Sequence, residues 1–230
     1  GIAMKKLSWF SKISFWLVSI LTPFVILMIS IRILMTPLFA QIEYRLPGFP
    51  EDPFGFTLED RIRWSEPSIE YLVNSEGIDY LESLRFENGD PIFNSSELSH
   101  MEDVKAVVTG MRIALAAFMV VLLIVTVINI KKGNRKLILR AYNIGGWGIL
   151  GLIGVILILL VISFNQLFTW FHQIFFESGT WRFYTSDTLI RLFPMRFWRD
   201  AFIFVGSLSI LFGIITILAI RKHKNLEPSK

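Results

Sequence analysis

The chain has 230 residues, is 53% hydrophobic, contains no cysteine and carries a formal charge of +4, with a mean hydropathy of +0.55. A water-soluble domain of this length has too little interior to hide so much apolar surface, so the composition calls for a bilayer as part of the solvent. The missing cysteines exclude disulfides, thiolate nucleophiles and Cys-based metal sites.

Gly1, Ile2 and Ala3, ahead of Met4, read as a cloning remnant and are set aside. Four stretches can cross about 30 Å of hydrocarbon at 1.5 Å per residue: 13–39, 105–130, 138–164 and 201–220. The first is too long for a signal-peptide core, and Leu38-Phe39-Ala40 is a poor cleavage site, so it should remain as a helix. Orientation follows from Lys and Arg. Lys5, Lys6 and Lys12 lie in segment 1–12; Lys131, Lys132, Arg135, Lys136 and Arg140 fill or flank the short link 131–137; Arg221, Lys222 and Lys224 lie in the tail 221–230. All three clusters fall on one side, which predicts a multi-pass plasma-membrane protein with both termini and the link in the cytoplasm. Segments 40–104 and 165–200 then face the extracellular side. Leu38–Val104 holds fifteen Asp or Glu against four Arg and no Lys, a net −11.

Within the first outer segment, Thr57-Leu-Glu-Asp60 predicts a helix start, with a helical pattern to about Val73 and a break near Pro67. Asn88-Gly89, between short apolar runs in Leu84–Phe93, carries the signature of a tight hairpin. The expected fold is therefore a mainly α membrane protein, four transmembrane helices with a small extracellular α+β cap. In the second outer segment, Ser186 is expected to cap a short amphipathic helix, Asp187–Phe193, lying in the interface plane, with Pro194 separating it from the fourth span.

Gly146-Trp-Gly148-Ile-Leu-Gly151 matches GxGxxG but lies inside a membrane span with no strand before it, so a dinucleotide site is excluded by context. Glycines 145, 146, 148, 151 and 154 are expected instead to admit a neighbouring helix. Arg32 and Arg112 sit within about two turns of the outer helix ends, and no Asp or Glu falls within a span, which argues against a charge-relay transport path. No GxSxG elbow is present for a serine hydrolase.

Of three histidines, His223 belongs to the solvated basic tail. His100 and His172 are placed by topology at one depth, the outer membrane surface. Ser99 and Glu102 read as a capping box that puts His100 at the first helical position, where the helix dipole disfavours the imidazolium and keeps a candidate base neutral. Asp103, one turn on, either orients that ring or raises its pKa. A metal reading would use His100, Asp103, His172 and Glu177, a thin ligand set. Around His172 the chain is dense in aromatics, among them Phe168, Trp170, Phe171, Phe175, Phe176, Trp181, Phe183, Tyr184, Phe193, Phe197 and Trp198. They read as an interfacial belt or as a pocket for lipid chains, with Arg182, Arg191, Arg196 or Arg199 facing headgroup oxygens.

His100-Met-Glu-Asp-Val104, Phe171-His-Gln-Ile-Phe-Phe176, Trp181-Arg-Phe183, Asp187-Thr-Leu-Ile190 and Leu192-Phe-Pro-Met-Arg-Phe-Trp-Arg-Asp200, on four spans with an outer cap, resemble the lipoprotein intramolecular transacylase (Lit) family of Gram-positive bacteria. The resemblance covers essentially the chain after Met4. It implies an acyltransferase that moves the sn-2 acyl chain of a diacylglyceryl-cysteine lipoprotein onto the α-amino group of the same cysteine, giving a lyso-form lipoprotein. It further implies His100 and His172 as the catalytic pair. Trp170, Phe171, Trp181, Phe183, Arg191 and Trp198 are then the substrate-binding candidates, and Asp103 and Asp187 the supporting ones. The implied partners are a diacylglyceryl-modified lipoprotein and membrane lipid, with no nucleic acid, no cofactor and no metal. Amine attack on the ester closes an eight-membered ring, so the main task is folding the substrate head into a near-attack shape. One histidine takes the amine's proton and the other assists the departing sn-2 oxygen; His100 is the expected base through its helix position, although the roles can be exchanged. The rival readings are a non-enzymatic module whose acidic cap binds a partner, with the histidines structural or pH-sensing, and a metal-dependent lipid hydrolase.

Overall fold

The computed structural model describes residues 8–225, with side chains through Lys222. The expected remnant Gly1–Ala3 and the side chain of His223 lie outside the described residues. Among the described residues eight helices follow in order: α1 Trp9–Leu34, α2 Pro37–Glu43, α3 Leu58–Tyr71, α4 Asp79–Glu82, α5 Ser95–Lys131, α6 Arg135–Phe175, α7 Thr188–Leu192 and α8 Met195–Asn225. Four of them, α1, α5, α6 and α8, are long and apolar enough to cross a membrane. Their exposed side chains say the same: Val161 is 83% and Ile162 74% exposed, a cost in water that lipid removes.

The chain divides into two compact units. The first comprises residues up to Ile31, Arg112–Ile158 and Val205 onward. Here small polar residues point inward: Ser11, Ser14, Ser19, Thr22, Ser30 and Ser209 are buried. Ser19 Oγ donates to the carbonyls of Phe15 and Ala141, and the Ser30 and Ser209 hydroxyls meet at 3.0 Å. Lipid supplies no hydrophobic drive between helices, so close approach and internal hydrogen bonds hold them. The glycine stripe takes part only in places. A Cβ on Gly145 would strike Thr22 at 2.5 Å, and one on Gly146 would meet Ile217 at 2.8 Å and the Gly213 carbonyl at 3.3 Å. Gly151 and Gly154, expected to do the same, have nothing within 4 Å, because the helix has turned those positions away from its neighbours.

The second unit, Arg32–Met111 with Leu159–Phe204, takes in segments 40–104 and 165–200 plus the adjoining turns of α5, α6 and α8. Its core gathers Tyr44, Trp64, Tyr71, Leu81, Ile92, Phe93, Met101, Leu192 and Phe197. The α+β expectation is corrected: among the described residues there is no strand. The Asn88-Gly89 turn forms, with Gly89 at φ +89° and Phe86 N–H donating to Asp90 O. It is flanked by a single isolated bridge, Arg85 to Pro91. The flanking runs are three residues long, and Pro91 has no N–H to extend a ladder.

Three helix boundaries also differ. Thr57 and Asp60 do form a reciprocal cap, but α3 runs through Pro67 without breaking. The short helix is preceded by Asp187, not Ser186, and spans Thr188–Leu192. The start of α5 is the consequential case. Asn94 Oδ1 accepts from the N–H groups of Ser96 and Glu97, both at 3.0 Å, and Glu97 Oε2 accepts from Asn94 N–H at 2.8 Å. The capping box is therefore Asn94-x-x-Glu97, and His100 lies in the second turn.

Candidate active site

Both histidines belong to the second unit. They sit on parts of α5 and α6 beyond the expected apolar spans 105–130 and 138–164; helices of 37 and 41 residues exceed the roughly 20 that a bilayer needs. The chain reaches His172 through a break in α6 at Ser163, whose φ −161° and ψ 97° are extended. Ser163 Oγ accepts from Gln166 N–H at 3.3 Å, which caps the following turns as a new helix start. His100 is fixed from the other side by Glu97, three residues earlier and 1% exposed. While Glu97 Oε2 closes the α5 cap, Oε1 accepts from Leu189 N–H at 2.7 Å. One carboxylate thus ties the first turn of α5 to α7. Asp187 adds to the tie, accepting from Tyr184 N–H at 2.8 Å and from the Asn94 amide at 3.4 Å.

The two imidazoles meet with ring centroids 6.3 Å apart and planes 22° from parallel. At that separation their nitrogens stay ~4 Å or more apart, beyond a direct hydrogen bond but close enough to touch one small group from two sides. Each of the two histidines is 8% exposed. Phe168 and Trp181 lie 4.1 and 4.8 Å from His172. Phe176 and Phe183 lie 5.0 and 5.4 Å from His100, and Phe176 also reaches His172 at 5.6 Å.

The tautomer of His172 follows from a single contact. Its Nδ1 is 2.8 Å from the Phe168 carbonyl oxygen; a carbonyl only accepts, so Nδ1 carries the proton and Nε2 keeps its lone pair. Among the described residues, His100 Nδ1 is buried with no hydrogen-bond partner, and so is the indole Nε1 of Trp181. Burial pushes the His100 pKa down to about 4, the neighbouring His172 adding to the fall and Asp103 opposing it. Burial also lowers His172, opposed by its bond to the Phe168 carbonyl. Both rings are therefore neutral near pH 7. For His100 the cause of the lowering is desolvation, not the helix terminus expected from the sequence.

The remaining candidates separate. Trp181 and Phe183 join the imidazoles, and Phe171 packs on His172 at 5.4 Å. Trp198 touches Phe168 at 6.2 Å, one ring removed from His172. Trp170 is 47% exposed: two residues before His172 on a helix, it points to another side. Arg191 is engaged elsewhere. Its Nε and Nη2 donate to Asp52 Oδ2 at 3.0 and 2.9 Å, and its guanidinium lies 3.4 Å from the Phe56 ring centre. Asp103 is exposed and reaches His100 only through its charge. The metal quartet does not gather: Glu177 is also exposed, and no three His, Cys, Asp or Glu among the described residues could share an ion. Phe168 and Phe176, named in the aromatic run but not singled out as substrate-binding candidates, are the rings that pack on the two imidazoles. They stand four residues to either side of His172, the helical spacing that shares a face.

A model of the lipoprotein intramolecular transacylase Lit family matches residues 16–198. An uncharacterized protein of Aquifex aeolicus (strain VF5) is 31% identical over 203 residues, 86% of this chain and 88% of that protein. Among solved structures, the membrane-integral lipoprotein intramolecular transacylase Lit from Bacillus cereus matches with a TM-score of 0.78 at 19% identity, covering 94% of this chain and 98% of that one. A form of the same protein with a histidine-to-arginine mutation gives 0.73, also at 19% identity and covering 94% of both chains. At that identity the structural likeness concerns the fold.

Proposed function

This chain belongs to the lipoprotein intramolecular transacylase family, and from that premise we propose that it moves the sn-2 acyl chain of a diacylglyceryl-cysteine lipoprotein to the α-amino group of the same cysteine, using His172 and His100. The observation that carries the proposal is the aromatic-walled pair of neutral imidazoles, 6.3 Å apart, with one free lone pair assigned to His172. The distribution of Lys and Arg supports an extracellular placement of this site, with both termini in the cytoplasm.

Nucleophile and electrophile both come from the substrate. The neutral α-amine attacks the ester carbonyl; the new N–C bond forms and the carbonyl π pair moves to oxygen. His172 Nε2 accepts the proton that the nitrogen must lose, and its imidazolium is steadied by the Nδ1–H bond to Phe168. As the C–O bond breaks, the His172 imidazolium gives that proton to the departing sn-2 oxygen, to which neutral His100 donates an N–H hydrogen bond without losing its own proton. The net result moves one proton from nitrogen to that oxygen and leaves both imidazoles as they began. Acid–base help of this kind is worth about 10²–10⁴-fold. The larger requirement is bringing the two ends of a floppy head together, where a fixed near-attack shape contributes most. Phe168, Phe171, Phe176, Trp181 and Phe183 form the enclosure that favours the folded head. Trp198 stands behind Phe168, and Asp187 braces the α5 cap that sets His100.

The test is mass spectrometry of a synthetic diacylglyceryl lipopeptide after exposure to the wild-type protein and to His100→Ala and His172→Ala. Wild type should give the N-acylated lyso product and each variant none, with thermal stability retained. Full product from either variant removes that histidine from the mechanism.

A further inference from the structure

The tetrahedral intermediate of any such transfer carries a negative oxygen, and in the reading above both histidines already have other work, one with the amine's proton and one with the departing oxygen. We infer that the indole N–H of Trp181 is the donor that binds this oxyanion, an inference that rests on the transacylase reading above.

Three observations converge on Trp181. Its Nε1 is buried and has no acceptor among the described residues. Indole nitrogen can only donate, and a buried donor without an acceptor is rare in folded proteins. A partner that arrives with the substrate accounts for it. Next, the indole lies 4.8 Å from the His172 ring, tilted 36° to it. The oxyanion and the nitrogen that His172 deprotonates are bonded to the same carbon, so the donor has to stand beside the base, as this one does. Last, the Arg182 guanidinium lies over the same indole, 5.4 Å from its centre. A cation on the ring face draws electron density from the π system and so makes the N–H a stronger donor. A turn presents the residue: Gly179 at φ +99° and Thr180 N–H donating to Glu177 O bring the chain back after α6.

No proton leaves the indole at any stage. As the amine adds, the carbonyl π pair moves to oxygen and the N–H···O contact strengthens; as the sn-2 C–O bond breaks, the pair returns and the amide carbonyl leaves. The contact is tighter in the transition state than in the bound ester, so its loss falls on kcat rather than on KM.

The test uses the full-length protein in detergent with the diacylglyceryl lipopeptide, comparing wild type, Trp181→Phe, and a protein with 3-benzothienylalanine at position 181. The last keeps the shape of the ring and replaces only N–H by sulfur. Both altered proteins should lose about 10²-fold in kcat with KM within about twofold of wild type. If the benzothienyl protein keeps the wild-type kcat, the inference is overturned whatever Trp181→Phe does, since the residue then acts through its bulk. Wild type that forms no lyso product refutes the transacylase reading and this inference with it. Wild-type turnover matched by the benzothienyl protein refutes the inference alone.

Discussion

Replacing Glu97 by Gln tests how the first imidazole is held. The carboxylate is 1% exposed and accepts two backbone N–H groups, from Asn94 at 2.8 Å and Leu189 at 2.7 Å. Gln fills the same space but turns one oxygen into NH₂, which faces a donor with a donor. A hydrogen bond to a charged acceptor is worth about 1.5–3 kcal/mol, and the orphaned N–H adds a desolvation penalty of similar size. Burying a neutral amide in place of a carboxylate returns part of this, so the net loss should be about 2–3 kcal/mol. For a chain of this size that lowers Tm by about 5–10 °C, read by scanning fluorimetry in detergent. Because Glu97 lies one turn ahead of His100, transacylation measured well below Tm should fall as well. Ser99→Ala is the control: in the cap expected from Ser99 and Glu102 it would be the damaging change, whereas here it should shift Tm by no more than a degree or two. A silent Glu97→Gln together with a damaging Ser99→Ala would refute the account of how α5 begins.

Two further outcomes follow from burial and packing. As the proposed base, His172 has to be unprotonated to act, so kcat should fall as pH drops through a value below the ordinary 6.5 for histidine, in a pH–rate profile taken at saturating lipopeptide. Stability should move in the same direction. With His100 lowered from 6.5 to about 4, its stabilising effect is full above about pH 6.5 and lost toward pH 4, about 3 kcal/mol in all; His100→Gln should flatten this part of the Tm–pH curve. In the first unit, Gly146→Val should lower Tm because its side chain meets Ile217 and the Gly213 carbonyl, while Gly154→Val, with open space around it, should be silent; equal shifts in melting scans would count against that packing.

What could be read from the chain alone depended on how local its cause was. Membrane helices declare themselves because about 20 consecutive apolar residues have few other uses, and the paired histidines emerged from topology plus resemblance. The α5 start was harder. Asn94-x-x-Glu97 and Ser99-x-x-Glu102 both satisfy the capping pattern, and what separates them is Leu189 N–H, 92 residues from Glu97 in the chain. Arg191 and Arg196 looked equally suited to a headgroup; only the folded chain shows Asp52 taking the first and Asp200 the second. Phe168 and Phe176, by contrast, were legible in principle. Spacing of four from His172 marks the shared face, and aromatic density drew attention to the whole run instead.

Burial sets a tension within the site that explains why its two histidines differ. An enclosure dry enough to fold the substrate head lowers any imidazole inside it, and a base lowered too far accepts a proton poorly. The arrangement resolves this by giving only His172 an acceptor for its Nδ1–H, so that positive charge, when it forms, has somewhere to be stabilised. His100 has no such acceptor at Nδ1 and faces His172; a second charge there would be both desolvated and repelled. It is accordingly suited to staying neutral and offering a hydrogen bond. The asymmetry originates in backbone geometry. His172 bonds the carbonyl four residues back on its own helix, whereas His100 projects from an early turn of α5 with Phe176 and Phe183 packed beside its ring. Two chemically identical side chains thus differ in what stands within 3 Å of one nitrogen, and that difference is what suits each to its proposed role.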